Sequence, residues 1–327
     1  MSAVRPLKIG SVTLPNNLLL APLAGYTDAG FRRVAAVCGA GMTCTEMVSA
    51  KALHYANDKT RELLFTSPEE HCKAVQIFGH EPEVMAEACA NPALAKFDIV
   101  DINMGCPMAK ITGNGEGSAL MGDPRLAGRI IEACVKAAGR PVTVKFRLGL
   151  DEGRRNYLEF ARVCEQAGAA AITVHGRTTA QLYAGKADRD AIAEVVSSVR
   201  IPVIGNGDVC DPDSMEHMFG QTGCAGVMVA RGALGNPMLF CRLLGKEPPF
   251  TLLQAIRMHA DTMFALHAER YVVLNLRKHL AFYCKNIANS RRWRARLLTV
   301  NSRAELYDAV EEAFGEAKGP PAGDLEI

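Results

Sequence analysis

The chain has 327 residues, 49% of them hydrophobic, 6% aromatic and 22% charged, with a formal net charge of +2 at pH 7. This is ordinary globular composition, and the length suits one barrel of about 250 residues plus a small appended domain. Nothing in it reads as a signal peptide, a membrane span or a zinc or disulfide framework. Residues 1–10 are broken by Arg5, Pro6 and Lys8, no apolar run nears about 18 residues, and the eleven cysteines contain no C-x-x-C pair.

In chain order, residues 7–14 alternate around Gly10 and predict a hairpin beneath a barrel floor. Eight β-rich runs follow, at 17–25, 42–49, 73–79, 97–105, 142–149, 170–176, 202–209 and 225–233. Several are almost wholly apolar, as parallel strands covered on both faces should be. The segments between them read as helices, for example 123–138 and 156–167, the latter closing on Gly168. Eight successive βα units predict a (β/α)₈ TIM barrel over residues 1–244. Past Pro248 the strands stop. Residues 251–266 and 271–288 read as helices, and Ser302-Arg303-Ala304-Glu305 is a capping box opening a third. These define a helical domain at 245–315, and the tail 316–327, with its Gly-Pro-Pro-Ala-Gly, reads as disordered.

In such a barrel the site lies at the carboxyl ends of the strands. Those ends carry Pro22-Leu23-Ala24-Gly25, Glu46, Gln76, Asn103, Gly105-Cys106-Pro107, Lys145, Arg147, His175-Gly176-Arg177, Asn206-Gly207-Asp208 and Ala230-Arg231-Gly232. The last two loops fit a phosphate: glycine lets a backbone approach an oxyanion, and Arg231 would neutralise it. The plainer alternative is tight βα turns. Lys145 and Arg147 are two apart on one strand, so both point into the barrel mouth, where they need a counter-anion or an electron-rich ligand. An ion pair with Asp101 or Glu46 is the competing explanation. Cys106 lies on a turn just outside the fourth strand. A free thiol, with a pKa near about 8.5, is mostly a proton donor at neutral pH. As a nucleophile it would need an adjacent base, and no motif sets a histidine beside it. Residues 110–120, rich in glycine and polar groups, read as a mobile loop facing the substrate.

Taken together these stretches resemble the tRNA-dihydrouridine synthases, in particular their bacterial B-type branch. The resemblance is carried by LAPLAGYTDAGFR at 20–32, DINMGCP at 101–107, GSALM at 117–121 and VKFRLG at 144–149. It continues through VHGRT at 174–178, NGDV at 206–209, ARGALGNP at 230–237 and RKHLAFY at 277–283. It implies an FMN enzyme that uses NADPH to reduce the uracil C5–C6 bond in tRNA. Pro22, Leu23, Ala24, Gln76, Lys145, His175, Asn206, Gly207, Asp208, Ala230 and Arg231 match FMN contacts. Asn103 and Arg177 match positions that hold the uracil, with Arg147 expected on the substrate beside them, and Cys106 matches the catalytic acid. One departure is Ala230, where the family usually has glycine. The expectation is completed by a cytoplasmic monomer with no metal site.

The helical domain points to RNA on its own. Between Arg270 and Arg303 there are nine Lys or Arg and no Asp or Glu, an electrostatic footprint for phosphates in a chain otherwise balanced. Trp293 sits inside the cluster, either stacking or in the core. Two rival readings compete: a dihydroorotate-dehydrogenase-like FMN enzyme, which has no need of the basic appendage, and a non-catalytic RNA-binding protein, which has no need of Cys106, Lys145 and His175.

Overall fold

The computed structural model describes residues 3–55, 58–236 and 238–315. An antiparallel hairpin, β1 (Leu7–Ile9) and β2 (Val12–Leu14), precedes the parallel strands. These are β3 (Leu18–Leu20), β4 (Thr43–Cys44), β5 (Val48–Ser49), β6 (Lys73–Phe78), β7 (Ile99–Met104), β8 (Val142–Phe146), β9 (Ala171–His175), β10 (Val203–Asn206) and β11 (Gly226–Val229). From β6 to β11 each strand pairs in parallel with the next, β11 pairs with β3, and a bridge from Leu19 to Met42 closes the ring. The barrel expected from the eight β-rich runs is the barrel found. Its strands are buried on both faces; all six residues of β7 are buried.

The second barrel strand departs from the expectation of one continuous run. Its halves β4 and β5 both pair with β6, Cys44 opposite Ala74 and Val48 opposite Ile77, so four steps on one side match three on the other. That is a bulge, and it re-aims the residues between. The hairpin fills the barrel floor as predicted: Ile9 and Leu14 are fully buried in a cluster with inward-facing Leu19, Ala74, Ile99, Ala171, Ile204 and Met228.

Among the described residues no strand follows β11. Helices Leu252–Leu266, Glu269–Tyr283, Ser290–Leu297 and Arg303–Phe314 pack together, and the first lies against helix Ala29–Val37 of the barrel. Thr251 makes a full capping box with Gln254. Ser302 makes half of one: its hydroxyl accepts from the Glu305 N–H, while the Glu305 carboxylate accepts from the N–H of Asn301. The helix expected at 271–288 instead begins at Glu269 and ends at Tyr283. A 3₁₀ turn follows, and Asn289 at φ 56 breaks the path before the helix Ser290–Leu297, which the sequence pattern does not foretell. Asparagine tolerates that left-handed conformation. The loop expected at 110–120 is also different: it forms a helical turn at Ala109–Thr112 and a 3₁₀ segment at Gly117–Gly122 with Ser118 and Leu120 buried. The tail expected at 316–327 lies outside the described residues.

Candidate active site

Strand alternation decides which side chains reach the mouth. On β7, Val100, Ile102 and Met104 pack outward against helices, so Asp101 and Asn103 point inward. By the same alternation Gln76, Thr143, Lys145, His175 and Asn206 turn inward. Above this layer lies a cavity of about 500 Å³, bordered by Gln76, Asn103, Lys145, His175 and Asn206 and also by Pro22, Leu23, Ala24, Cys106, Arg147, Ala230 and Arg231. It shares walls at His175, Asn206 and Arg231 with a second space of about 310 Å³, which is lined also by Arg177, Gly207 and Asp208. Every residue that the resemblance assigns to cofactor, substrate or catalysis therefore borders one or both of two adjoining cavities.

Their electrostatics differ from residue to residue. Burial, and then the neighbouring Arg147, pull the Lys145 ammonium down to about 8. It makes no hydrogen bond or ion pair among the described residues, so the alternative pairing with Asp101 or Glu46 is not formed. Asp101 instead accepts from Thr143 and Gln76, and Glu46 accepts from the N–H of Gly25. Burial brings the Arg147 guanidinium to about 10. Its Nε donates to the Gly105 carbonyl at 2.8 Å, and one terminal nitrogen donates to the carbonyls of Thr178 and Leu182. Burial, with Lys145, Arg147, Arg177 and Arg231 around it, holds His175 well below its usual value, so the imidazole is neutral.

Arg177 is fully enclosed, and its guanidinium is occupied by protein. It donates to the carbonyls of Ala184 and Gly185 and forms an ion pair with Asp208 at 2.7 Å. Asp208, at φ 52, also accepts from the Ala187 N–H and lies 3.3 Å from Arg231. The carboxylate thus orders two arginines beside the expected phosphate pocket. The glycines there have a protein reason too: a Cβ on Gly207 would lie 2.6 Å from that of Ala187, and one on Gly232 would lie 2.2 Å from the Val209 carbonyl oxygen.

Cys106 is half-buried, and its backbone is held on both sides. Its N–H donates to Asn103 Oδ1 at 2.9 Å, and its carbonyl accepts from the Ser118 N–H at 3.0 Å. Gly117, at φ 60, permits that approach, since a Cβ there would sit 2.8 Å from the Cys106 carbonyl oxygen.

Several side chains at the mouth carry no signal in the sequence pattern. Tyr183 borders both cavities and lies against Arg231, ring centre to guanidinium 4.9 Å. Met47, delivered by the bulge, Tyr26, and Phe282 of the second C-terminal helix complete the wall. Beneath that helix, Asp28 joins the barrel to the C-terminal helices. Its Oδ1 lies 2.9 Å from His259 Nε2, its Oδ2 lies 3.2 Å from His279 Nε2, and the Tyr283 hydroxyl is 3.1 Å from His259 Nδ1. No metal site is expected from the sequence, yet the possible ligand atoms of this trio lie within 4.8 Å of one another. Hydrogen bonds already engage both nitrogens of His259, and Asp28 Oδ1 also accepts from the Phe31 N–H as the cap of its helix.

The model of the dihydrouridine synthase family (Dus) matches residues 19–318. A "tRNA-dihydrouridine synthase B" of Pseudomonas aeruginosa is 36% identical over 99% of both chains. A "Probable tRNA-dihydrouridine synthase 1" of Synechocystis is 38% identical over 96% of this chain and 91% of that one. Among solved structures, an old yellow enzyme homologue from Zymomonas mobilis superposes with a TM-score of 0.58 at 14% identity, covering 76% of this chain and 94% of that one. That likeness shows the fold alone. Family model and relatives agree across almost the whole length, and neither rival reading survives them: the chain belongs to the dihydrouridine synthase family, in its bacterial B-type branch.

Proposed function

We propose that the protein reduces uridine in tRNA to 5,6-dihydrouridine, with FMN as bound cofactor and NADPH as reductant. The observation that carries this reading is the convergence of a thiol, an unpartnered ammonium and a neutral imidazole on one cavity, at Cys106, Lys145 and His175. The residues present fit a flavin. A half-buried cation with no protein partner among the described residues suits the electron-rich pyrimidine edge of the ring, and the loops at Asn206–Asp208 and Ala230–Arg231 suit its phosphate. FMN, once reduced, supplies hydride to C6 of the uracil.

The chain's own residues do the rest. Lys145 stabilises negative charge at the ring edge. Pro22, Leu23, Ala24, Gln76 and His175 wall the ring, and Asp208 keeps Arg231 oriented on the phosphate side. Asn103 and Arg147 face the substrate, while Arg177, its donors engaged, shapes that side through Asp208 and the 184–185 carbonyls. Cys106 holds the proton that C5 needs as C6 is reduced. The helices of 245–315 bind the RNA and present the uridine. A tRNA substrate places this work in the cytoplasm.

The test is reconstitution. Purified protein with FMN and NADPH should form dihydrouridine, detected by mass spectrometry, in tRNA made without it. A protein that neither retains FMN nor forms the product contradicts the reading.

A further inference from the structure

We propose that Asp101 is a positioning residue for this reaction: its carboxylate fixes the orientation of two side-chain amides and, through them, the backbone that carries Cys106. The inference rests on the role given to Cys106 above. Sheet register sets Gln76 opposite Asp101, and Asp101 opposite Thr143, so the three form one inward layer beneath Asn103. Asp101 accepts from the Thr143 hydroxyl at 2.6 Å and from Gln76 Nε2 at 2.7 Å. Gln76 Oε1 accepts from Asn103 Nδ2 at 2.8 Å. Asn103 Oδ1 then accepts from the N–H groups of Gly105 and Cys106 at 3.1 and 2.9 Å.

The polarity of this chain follows from its ends. An amide is nearly the same shape when rotated by half a turn, so only its partners decide which atom points where. At one end stand two backbone N–H groups, which demand oxygen from Asn103. At the other stands a carboxylate, whose oxygen toward Gln76 accepts. Turning Gln76 would set two NH₂ groups against each other at Asn103 and two oxygens against each other at Asp101. The Thr143 hydroxyl can donate or accept, so it chooses nothing. All four side chains are buried, so no solvent can stand in for a missing partner. Without the acceptor at 101, Gln76 Nε2 is left buried and unsatisfied, so Gln76 must shift to find another acceptor, and its hold on Asn103, and through Asn103 on the Cys106 backbone, loosens.

The test compares holoenzymes carrying Asp101→Leu and Asp101→Asn, with Asp101→Val in place of leucine if that side chain is not accommodated. The apolar variants should lose roughly 10- to 100-fold in kcat for tRNA reduction, the equivalent of one broken buried hydrogen bond. KM for tRNA and the rate of flavin reduction by NADPH should hold within a factor of about three. Asp101→Asn should recover most of the rate, because its oxygen can face Gln76 while its NH₂ donates to Thr143. Wild-type turnover in the apolar variants overturns the proposal. So does an asparagine variant as slow as the leucine one, which would make charge the requirement. A parallel loss of flavin content and of both half-reactions overturns it too, as a general structural lesion. If Cys106→Ala reduces tRNA normally, the functional reading has failed; an impaired Cys106→Ala beside an unimpaired Asp101→Leu strikes this inference alone.

Discussion

Lys145 is inward, half-buried and without a protein partner among the described residues, and burial has already brought its ammonium to about 8. A ligand that prefers the charged form must therefore bind less well as pH rises through that value. The affinity of the apoprotein for FMN, measured by fluorescence quenching, should fall between about pH 7 and pH 9 in the wild type. Lys145→Met should bind more weakly and lose that dependence. An equally steep fall in the variant would assign the titration to another group. At this scale the sequence shows which residues face the mouth, because alternation on a strand is a local property. It does not show what they bond to. That Arg177 is held by Asp208, and Gln76 by Asp101, depends on strands that meet only in the closed barrel. Tyr183 gives no local signal because it lies beyond a strand end, on a loop turned by Leu182 at φ 51.

The eight barrel strands announce themselves as β-rich runs, several of them almost wholly apolar, each followed by a helix-length stretch. Interruptions do not. The bulge between Cys44 and Val48 leaves no mark in the β-rich run of the second strand while turning Met47 toward the cavity. The short helix Ser290–Leu297 is hidden by its own composition, with four arginines and little apolar surface to mark a face. Those arginines separate in the structure. Arg296 lies 3.6 Å from Glu312, whereas Arg291, Arg292 and Arg294 are exposed with no carboxylate partner among the described residues. Outside this helix, Arg277 donates to the Val300 carbonyl and Arg303 packs on Phe264 and Tyr307, so they serve the bundle first. Replacing Arg291, Arg292, Arg294 and Arg296 by Ala should weaken tRNA binding and reduce the slope of log K against log salt by about one for each phosphate no longer neutralised. Flavin reduction by NADPH should persist. Filter binding at several salt concentrations with an unchanged slope would place the RNA elsewhere.

For the molecule as a whole, the joint between barrel and helices is the Asp28, His259 and His279 cluster, drawn from positions more than two hundred residues apart and so invisible to local pattern. Burial, and then His259, bring His279 to about 4. At Asp28 burial acts upward, but the two histidines outweigh it and hold the carboxyl well below its usual value. Both shifts act in the same direction. Between about pH 6.5 and pH 4 the unfolded chain takes up a proton at residue 279 that the folded chain refuses, which removes on the order of 3 kcal/mol as pH falls. Below that, protonation of Asp28 continues the loss. Thermal melts should show wild type losing stability over this window more steeply than His279→Gln. Parallel slopes would mean that the joint does not titrate as described.

The joint sets the helices over a mouth whose chemistry centres on one thiol. Stopped-flow reoxidation of the reduced flavin by dihydrouridine-free tRNA isolates the step in which that thiol is needed, apart from RNA binding and from NADPH. Cys106→Ala should reduce its flavin with NADPH at close to the wild-type rate, since no uracil is protonated there. With tRNA it should reoxidise about 10²- to 10⁴-fold more slowly, the usual loss for a positioned general acid, and Cys106→Ser should be nearly as slow because a hydroxyl is the weaker acid. Reoxidation of Cys106→Ala by tRNA at the wild-type rate would mean that another group delivers the proton, and would contradict the account at its centre.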